Sequence, residues 1–203
     1  MCIGLLGTKI GMTQIFTNEE NVIPITIIKC GPCYITQIKN LKDCGYNAIQ
    51  IGYIDKLKNK KKSNLDDNIL KNFYFFKEYK TNNILNYNIN QKIDVNIFKK
   101  NQFVNISGLS IGKGYSGNIK RNNFTRGPMS HGSKHHRLQG SIGSGTTPGR
   151  VFPGKKMSGH LGSENITIKN LKIINIFKDK NIIIIKGSIP GKKGSLINIK
   201  NII

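Results

Sequence analysis

GLSIGKGYSGNIKRNNFTRGPMSHGSKHHRLQGSIGSGTTPGRVFPGKKMSGHLG, running from Gly108 to Gly162, decides how the chain is organised. It holds all four arginines, all four histidines and 13 of the 22 glycines, and no Asp or Glu. The acid-free run is longer still, since Asp94 and Glu164 flank 69 residues that carry 11 Lys or Arg. The stretch has neither the alternation of a strand nor the i, i+3, i+4 stripe of a helix. Its glycines make ordering costly in backbone entropy, so alone in water it is not expected to fold. A dense array of negative charge would order it, and a nucleic-acid backbone supplies one. The stretch reads as an arm that penetrates folded RNA.

Working outward, both flanks read as β structure. Before it come Cys2–Leu6 and Met12–Phe16, divided by Gly7 and Gly11, then a turn over Thr17–Asn21 and the β-branched runs Val22–Lys29, Tyr34–Lys39 and Ala48–Tyr53. After it, Asn165–Phe177 alternates with a break near Leu171, Lys178–Asn181 is a hairpin turn, and Ile182–Lys186 is a buried strand. Gly187–Gly194 is a loop and Ser195–Ile199 a last strand. Short strands with short turns point to a small barrel rather than an open sheet. Because strands precede and follow the basic stretch, it is an insertion leaving a barrel, not a tail.

Between the first strands and the basic stretch, Lys56–Ser63 is a solvated basic loop. Leu65–Lys80 forms one or two helical turns with Ile69, Leu70, Phe73 and Phe76 on one face, or its aromatic run Phe73–Phe76 is a strand. In either form those aromatics are expected to pack in a core. Ile93–Phe98 and Phe103–Ser107 return to strand character. The domains so drawn are a β-barrel over residues 1–55, 93–107 and 164–203, a small and partly helical insertion over 56–92, and a Gly-rich basic extension over 108–163.

Composition narrows the partner. The 203 residues carry 32 basic and 10 acidic side chains, a net charge of +22, with only 37% hydrophobic residues. Such self-repulsion calls for a polyanion. A membrane surface would want an amphipathic basic helix or a polybasic tail beside an apolar anchor, and neither is visible. No leader for secretion or organelle import is recognisable, so the chain is expected either to be made where it works or to stand in processed form. Heavy use of Asn, Ile and Lys reads as the codon bias of an AT-rich genome.

Enzymatic readings are weak. Cys30-Gly31-Pro32-Cys33 has the spacing of a thiol redox site, but that chemistry wants the first Cys at a helix N-terminus. Here the pair joins two strand-like runs, so a structural turn is preferred. A zinc site on Cys30, Cys33 and Cys44 lacks a convincing fourth ligand. Gly112-Lys113-Gly114 lacks the Ser or Thr that follows a phosphate-loop lysine. His131, His135 and His136 have no neighbouring carboxylate in sequence to orient an imidazole or complete a metal shell, so they read as hydrogen-bonding and stacking groups for RNA. Lys120, Arg121 and Arg126 space cations along a phosphate groove, and arginine adds bidentate contact and base stacking. Gly140–Arg150 is small, polar and suited to a narrow RNA space, and Lys155-Lys156 close the stretch.

These residues also carry a resemblance. The run Phe98 through Asn105, Gly108, Ser110, Gly112-Lys113-Gly114, Gly117 and Arg121 resembles the signature of the large-subunit ribosomal protein L-three family. Gly4–Phe16, Gly140–Gly143, Thr147–Phe152, Gly154–Gly159 and Gly187–Gly191 resemble other segments of that family, so the likeness spans essentially the whole chain. It implies a mainly β fold with some α: a translation-protein-type six-stranded β-barrel with an α/β insertion and a long non-globular extension. It implies a structural constituent of the large ribosomal subunit, not an enzyme, with no cofactor, metal or small-molecule substrate. Its partners would be large-subunit ribosomal RNA, bound near the 3′ end early in assembly, and neighbouring proteins of the L-fourteen and L-nineteen families. The tip, Ser130–Thr147, would approach the peptidyl transferase centre. Many bacterial members have glutamines after Ser-Ile-Gly, one of them methylated; Ser144 and Thr146 stand there in this chain. The N-terminus looks most like plastid-encoded members, which implies a plastid ribosome, or otherwise a bacterial cytoplasm. The RNA-binding residues expected are Lys9, Lys113, Lys120, Arg121, Arg126, His131, Lys134, His135, His136, Arg137, Arg150, Lys155 and Lys156. The competing readings are a general nucleic-acid-binding architectural protein and a thiol redox protein using Cys30 and Cys33.

Overall fold

The computed structural model describes residues 3–16, 21–55, 73–81, 84 and 86–202, with only the backbone of Ile54 and Asp55. The chain divides into two compact units, Met1–Leu109 with Asn165–Ile203 and Ser110–Glu164. The first unit is mainly β. Its strands are β1 (Leu5–Phe16), β2 (Val22–Cys30), β3 (Cys33–Lys39), β4 (Ala48–Asp55), β5 (Phe73–Lys80), β6 (Lys92–Ile93), β7 (Phe103–Leu109), β10 (Asn165–Phe177), β11 (Ile182–Lys186) and β12 (Leu196–Asn201). The second unit contributes β8 (Gly114–Ser116), β9 (Gly159–Leu161) and the short helix α2 (Asn118–Asn122); α1 (Leu41–Cys44) links β3 to β4.

Six strands pair in the order β1-β12-β7-β10-β11-β2, and β2 pairs back onto β1 to close the sheet. Every pairing is antiparallel. Alternation sends Leu5, Val104, Ile106, Ile173, Ile183, Ile185, Ile197 and Ile199 inward, all buried. Each such side chain contributes about 1.5–3 kcal/mol by leaving water. β-Branched isoleucine also suits the pleated backbone. The hairpin at Lys178–Asn181 forms as expected, closed by Asn181 N–H on the Lys178 carbonyl at 3.2 Å.

Three expectations about these strands change. Gly7 and Gly11 do not divide two strands: β1 runs through both, with an irregularity in register between Lys9 and Gly11. Gly7 is needed for close approach, since a Cβ there would lie 2.8 Å from the Lys29 carbonyl and 2.9 Å from Cys30 Sγ. The break foreseen near Leu171 is a bulge within β10, where register shifts between Ile168 and Leu171 around Asn170 at φ 58. The segment after Ile93 is not a strand but a 3₁₀ turn over Val95–Ile97. That turn buries Val95 and Phe98 together and leaves Ile97 exposed; a strand would have put Val95 and Ile97 on one face.

The runs Tyr34–Lys39 and Ala48–Tyr53, assigned by sequence to the barrel, belong to a separate four-stranded sheet in the order β5-β4-β3-β6. Alternation reports that a strand has one buried face, not which neighbours it pairs with. Here Cys33 and Tyr34 pair with Ile93 and Lys92 on one side and with Tyr53 and Gly52 on the other. The aromatic run Phe73–Phe76 is strand, and the packing expected for it holds mainly for Phe73. Tyr74, Phe75 and Phe76 remain exposed, because β5 is the last strand of that order among the described residues. The two sheets share one apolar cluster that includes Leu6, Ile28, Ile35, Ile49, Ile51, Tyr79, Val95 and Phe98. The Tyr79 hydroxyl donates to Asn198 Oδ1 on β12. The foreseen turn at Thr17–Glu20, the loop at Lys56–Ser63 and the helical turns over 65–72 lie outside the described residues.

Candidate nucleic-acid interface

Ser110–Glu164 is held together by hydrogen bonds rather than by an apolar core. Its ends meet where Ser110 N–H donates to the Glu164 carbonyl at 2.9 Å and Glu164 N–H donates to Ser110 Oγ at 3.2 Å. Lys113 N–H then bonds the Leu161 carbonyl, and β8 and β9 pair from Gly114↔Leu161 to Ser116↔Gly159. The sequence stretch that showed no strand or helix pattern therefore contains a small ribbon and one helical turn. Both are too short for periodicity to register. Residues 123–158 contain neither strand nor helix.

α2 fastens the returning chain. Asn118 is buried and its amide donates to Gln139 Oε1 at 2.8 Å and to the Lys156 carbonyl at 3.2 Å. Asn122 donates to the Met157 carbonyl at 3.1 Å and to Asn118 Oδ1 at 2.7 Å. Arg121 Nη1 donates to the same Met157 carbonyl at 2.7 Å. Asn118, Asn122 and Gln139 escaped the sequence reading because amides in a polar stretch carry no periodic signal. The next segment folds on itself: Gly127 N–H donates to the His136 carbonyl, and His136 Nδ1 lies 2.9 Å from the Pro128 carbonyl. A Cβ at Gly127 would lie 2.2 Å from the His135 carbonyl, so glycine is required for that crossing.

Amides and backbone do most of the fastening, with Arg121 as the one cation that joins them, and the cations stay exposed. Lys113, Lys120, Arg121, Arg126, Lys134, Arg137, Arg150, Lys155 and Lys156 are all exposed, as are His131 and His135; His136 is half-buried. Among the described residues the ion pairs are Lys39–Glu78 and Lys92–Asp94, both in the first unit. Arg150 lies over the Phe152 ring at 5.5 Å from its centroid. Exposed apolar side chains stand among the cations: Tyr115, Met129, Leu138, Ile142 and Phe152. A surface that mixes cations with uncovered rings suits nucleic acid, whose phosphates and bases ask for both.

Lys9 departs from the expected set. It lies on β1 and is only 8% exposed; Nζ donates to the carbonyls of Ile189 and Gly191 at 3.0 and 2.9 Å. Its backbone joins the same loop, with Lys9 N–H on Ser195 O and Gly194 N–H on Lys9 O. Gly191, at φ 88, permits this loop, and a Cβ there would meet Ser195 Oγ and the Leu109 carbonyl. Burial lowers the ammonium pKa from its ordinary value. Lys9 thus clasps the loop between β11 and β12, with two of its three ammonium donors on loop carbonyls.

The thiols do not fit redox chemistry. Cys30 and Cys33 are free and buried at the junction of β2 and β3. Burial pushes the Cys30 thiol well above its usual range and Cys33 up to about 12. A redox cysteine needs the opposite shift. Among the described residues, no group of three His, Cys, Asp or Glu could hold a metal ion, and no helix is long and apolar enough to cross a membrane.

Comparison with known proteins agrees with the sequence likeness. Residues 78–181 match the family model described as Ribosomal protein L3. Large ribosomal subunit protein uL3c of Phaeodactylum tricornutum is 54% identical over 203 residues, covering 98% of each chain. The protein of the same name from Cyanophora paradoxa is 50% identical, covering 100% of this chain and 99% of its own. Large ribosomal subunit protein uL3 of Trichodesmium erythraeum is 46% identical, covering 98% of this chain and 96% of its own. Identity at this level along the full length leaves one conclusion: the chain belongs to the ribosomal protein L3 family.

Proposed function

We infer that the protein is a structural, non-enzymatic constituent of the large ribosomal subunit that binds large-subunit ribosomal RNA directly. The observation that carries the RNA reading is the 69-residue run without an acid, whose second-unit cations are exposed while chiefly amides and backbone close the unit. In this reading the six-stranded closed sheet is the barrel type shared with translation factors, and Ser110–Glu164 is the extension that enters RNA. The RNA-binding residues are Lys113, Lys120, Arg121, Arg126, His131, Lys134, His135, His136, Arg137, Arg150, Lys155 and Lys156. The RNA is bound near its 3′ end early in assembly, with Ser130–Thr147 directed toward the peptidyl transferase centre. Members of the L-fourteen and L-nineteen families are the protein neighbours. A plastid ribosome is the proposed location, supported by AT-rich residue usage and by likeness to the uL3c proteins.

The test is binding of the full chain to a large-subunit ribosomal RNA transcript across a salt series. The logarithm of affinity is expected to fall linearly with log salt, with a slope of about −0.7 to −0.9 per neutralised phosphate. Duplex DNA should compete poorly, and the chain should sediment stoichiometrically with large subunits in moderate salt. Binding that ignores salt, or DNA that competes as well as the transcript, would overturn the reading.

A further inference from the structure

Within the second unit, Tyr115, Ser116, Gly117, Ile119, Lys120 and Arg137 line one cavity of about 360 Å³. Tyr115 is 79% exposed, yet its ring is not loose. Its backbone is registered opposite His160 in the β8–β9 ribbon, and its hydroxyl lies 2.7 Å from Ser158 Oγ. An aromatic ring held at its polar end with its apolar surface uncovered is a platform waiting for a flat partner. The lining contains two cations and no acid, and neither Lys120 nor Arg137 has an ion-pair partner among the described residues. Gly117 keeps one wall low: a Cβ there would meet nothing within 4 Å.

We propose that this cavity receives one unstacked nucleotide of RNA, its base on the Tyr115 ring and its phosphate held by Lys120 and Arg137. The proposal rests on the RNA-binding reading above. The chemistry asks for a planar group and an anion in the same ligand, and a nucleotide joins the two. The size fits, since about 360 Å³ is at the lower end of the roughly 300–1,000 Å³ of small-ligand sites. A polymer fits better than a free nucleotide because exposed cations continue along the chain on both sides, at Lys113 and at Arg121 and Arg126. Base stacking on an aromatic side chain tolerates any base, so the site selects an extruded nucleotide rather than a sequence.

The chain has no tryptophan, so Tyr115→Trp installs a single indole emitter at the site. The full-length Tyr115→Trp variant is titrated with a large-subunit ribosomal RNA transcript. The reference is a Phe177→Trp variant, which places the indole at an exposed position of the first unit. Saturable quenching several-fold greater in the Tyr115→Trp variant than in the reference is expected. Adding Gly117→Thr should remove that quenching: it raises the low wall, at φ −69 any residue is unstrained, and Thr serves as well as Gly at a helix N-cap. In affinity measurements Tyr115→Ala should weaken binding roughly 5- to 150-fold, the worth of one base–aromatic stack. Tyr115→Phe keeps the ring and should lose less. Equal losses in the two variants would assign the effect to the Ser158 hydrogen bond and overturn the stacking site. Salt-dependent RNA binding with unchanged emission from the Tyr115→Trp variant would overturn it too, leaving the RNA-binding reading in place. No salt-dependent binding at all would overturn both.

Discussion

The two units of this chain solve the problem of holding a shape in opposite ways. In Met1–Leu109 with Asn165–Ile203, closed β ladders carry a core of isoleucines, and the acids that occur can pair with lysines, as Glu78 and Asp94 do. In Ser110–Glu164, Asn118, Asn122 and Gln139 join lengths of backbone that have no strand or helix between residues 123 and 158. The first device excludes water and needs no ligand. The second rests mainly on neutral hydrogen bonds, each contributing about 0.5–1.5 kcal/mol, enlists one cation, Arg121, on the Met157 carbonyl, and among the described residues gives its cations no acidic partner. The difference separates what the fold needs from what the partner needs: apolar side chains in one unit, outward cations in the other.

The sharpest way to break this comparison is to remove the second unit. Ser110 and Glu164 are already hydrogen-bonded to each other, and Leu109 pairs with Asn165, so residues 111–163 can be replaced by an Asn-Gly turn. The remaining chain is expected to unfold cooperatively in denaturant. Its affinity for the ribosomal RNA transcript should fall by about 10³-fold or more at low salt, because most phosphate contacts are gone. A non-cooperative transition would show that the units depend on each other for folding, and unchanged affinity would move the RNA contacts to the first unit.

Apolar truncations come next. Ile185→Ala opens a cavity in a fully buried position and should cost about 2–5 kcal/mol in chemical denaturation. Leu138→Ala removes a similar side chain that is exposed in the second unit, and stability should stay within about 0.5 kcal/mol. Comparable losses would mean that the second unit has a cooperative apolar core after all.

How much of this was legible beforehand follows the same division. The alternation after Asn165 announced a strand because burial of one face imposes a period, and Ile182–Ile185 announced one because a short continuous β-branched run suits a strand buried on both faces, as Ile183, Ile184 and Ile185 are. Pairing was not legible: β3 and β4 read like barrel strands, and only the tertiary partners at Ile93 and Phe76 reveal a second sheet. Gly7 looked like a break because a glycine needed for close approach and one needed for a turn are the same letter. In the second unit charge was plain and geometry was not. Tyr115, between Gly114 and Ser116, carries no signal in the sequence, because nothing in a single aromatic among glycines and polar residues says what faces it.

Lys9 tests whether a lysine belongs to the fold or to the partner. Lys9→Met keeps an apolar stem and removes both hydrogen bonds, leaving the Ile189 and Gly191 carbonyls without their lysine. An unsatisfied buried group costs about 1–3 kcal/mol. Stability should fall by that order while the salt slope of RNA binding stays as in the parent. A changed slope with unchanged stability would return Lys9 to the RNA-binding set.

The smallest effect is the mirror image. Lys134 is exposed and without an acidic partner among the described residues. Lys134→Gln removes one charge, keeps a side chain of similar length and touches no part of the hydrogen-bonded frame through its side chain. Stability should remain within about 0.5 kcal/mol of the parent. The log–log salt slope should shrink by about 0.7 to 0.9 if Lys134 neutralises one phosphate. This is a demanding measurement, because the change is one step of a larger slope and the affinity at any single salt moves little. Its value lies in the pairing with Lys9: one lysine should change stability and not slope, the other slope and not stability. If both variants change the same quantity, then charge is not partitioned between fold and partner in the way the two units' construction implies.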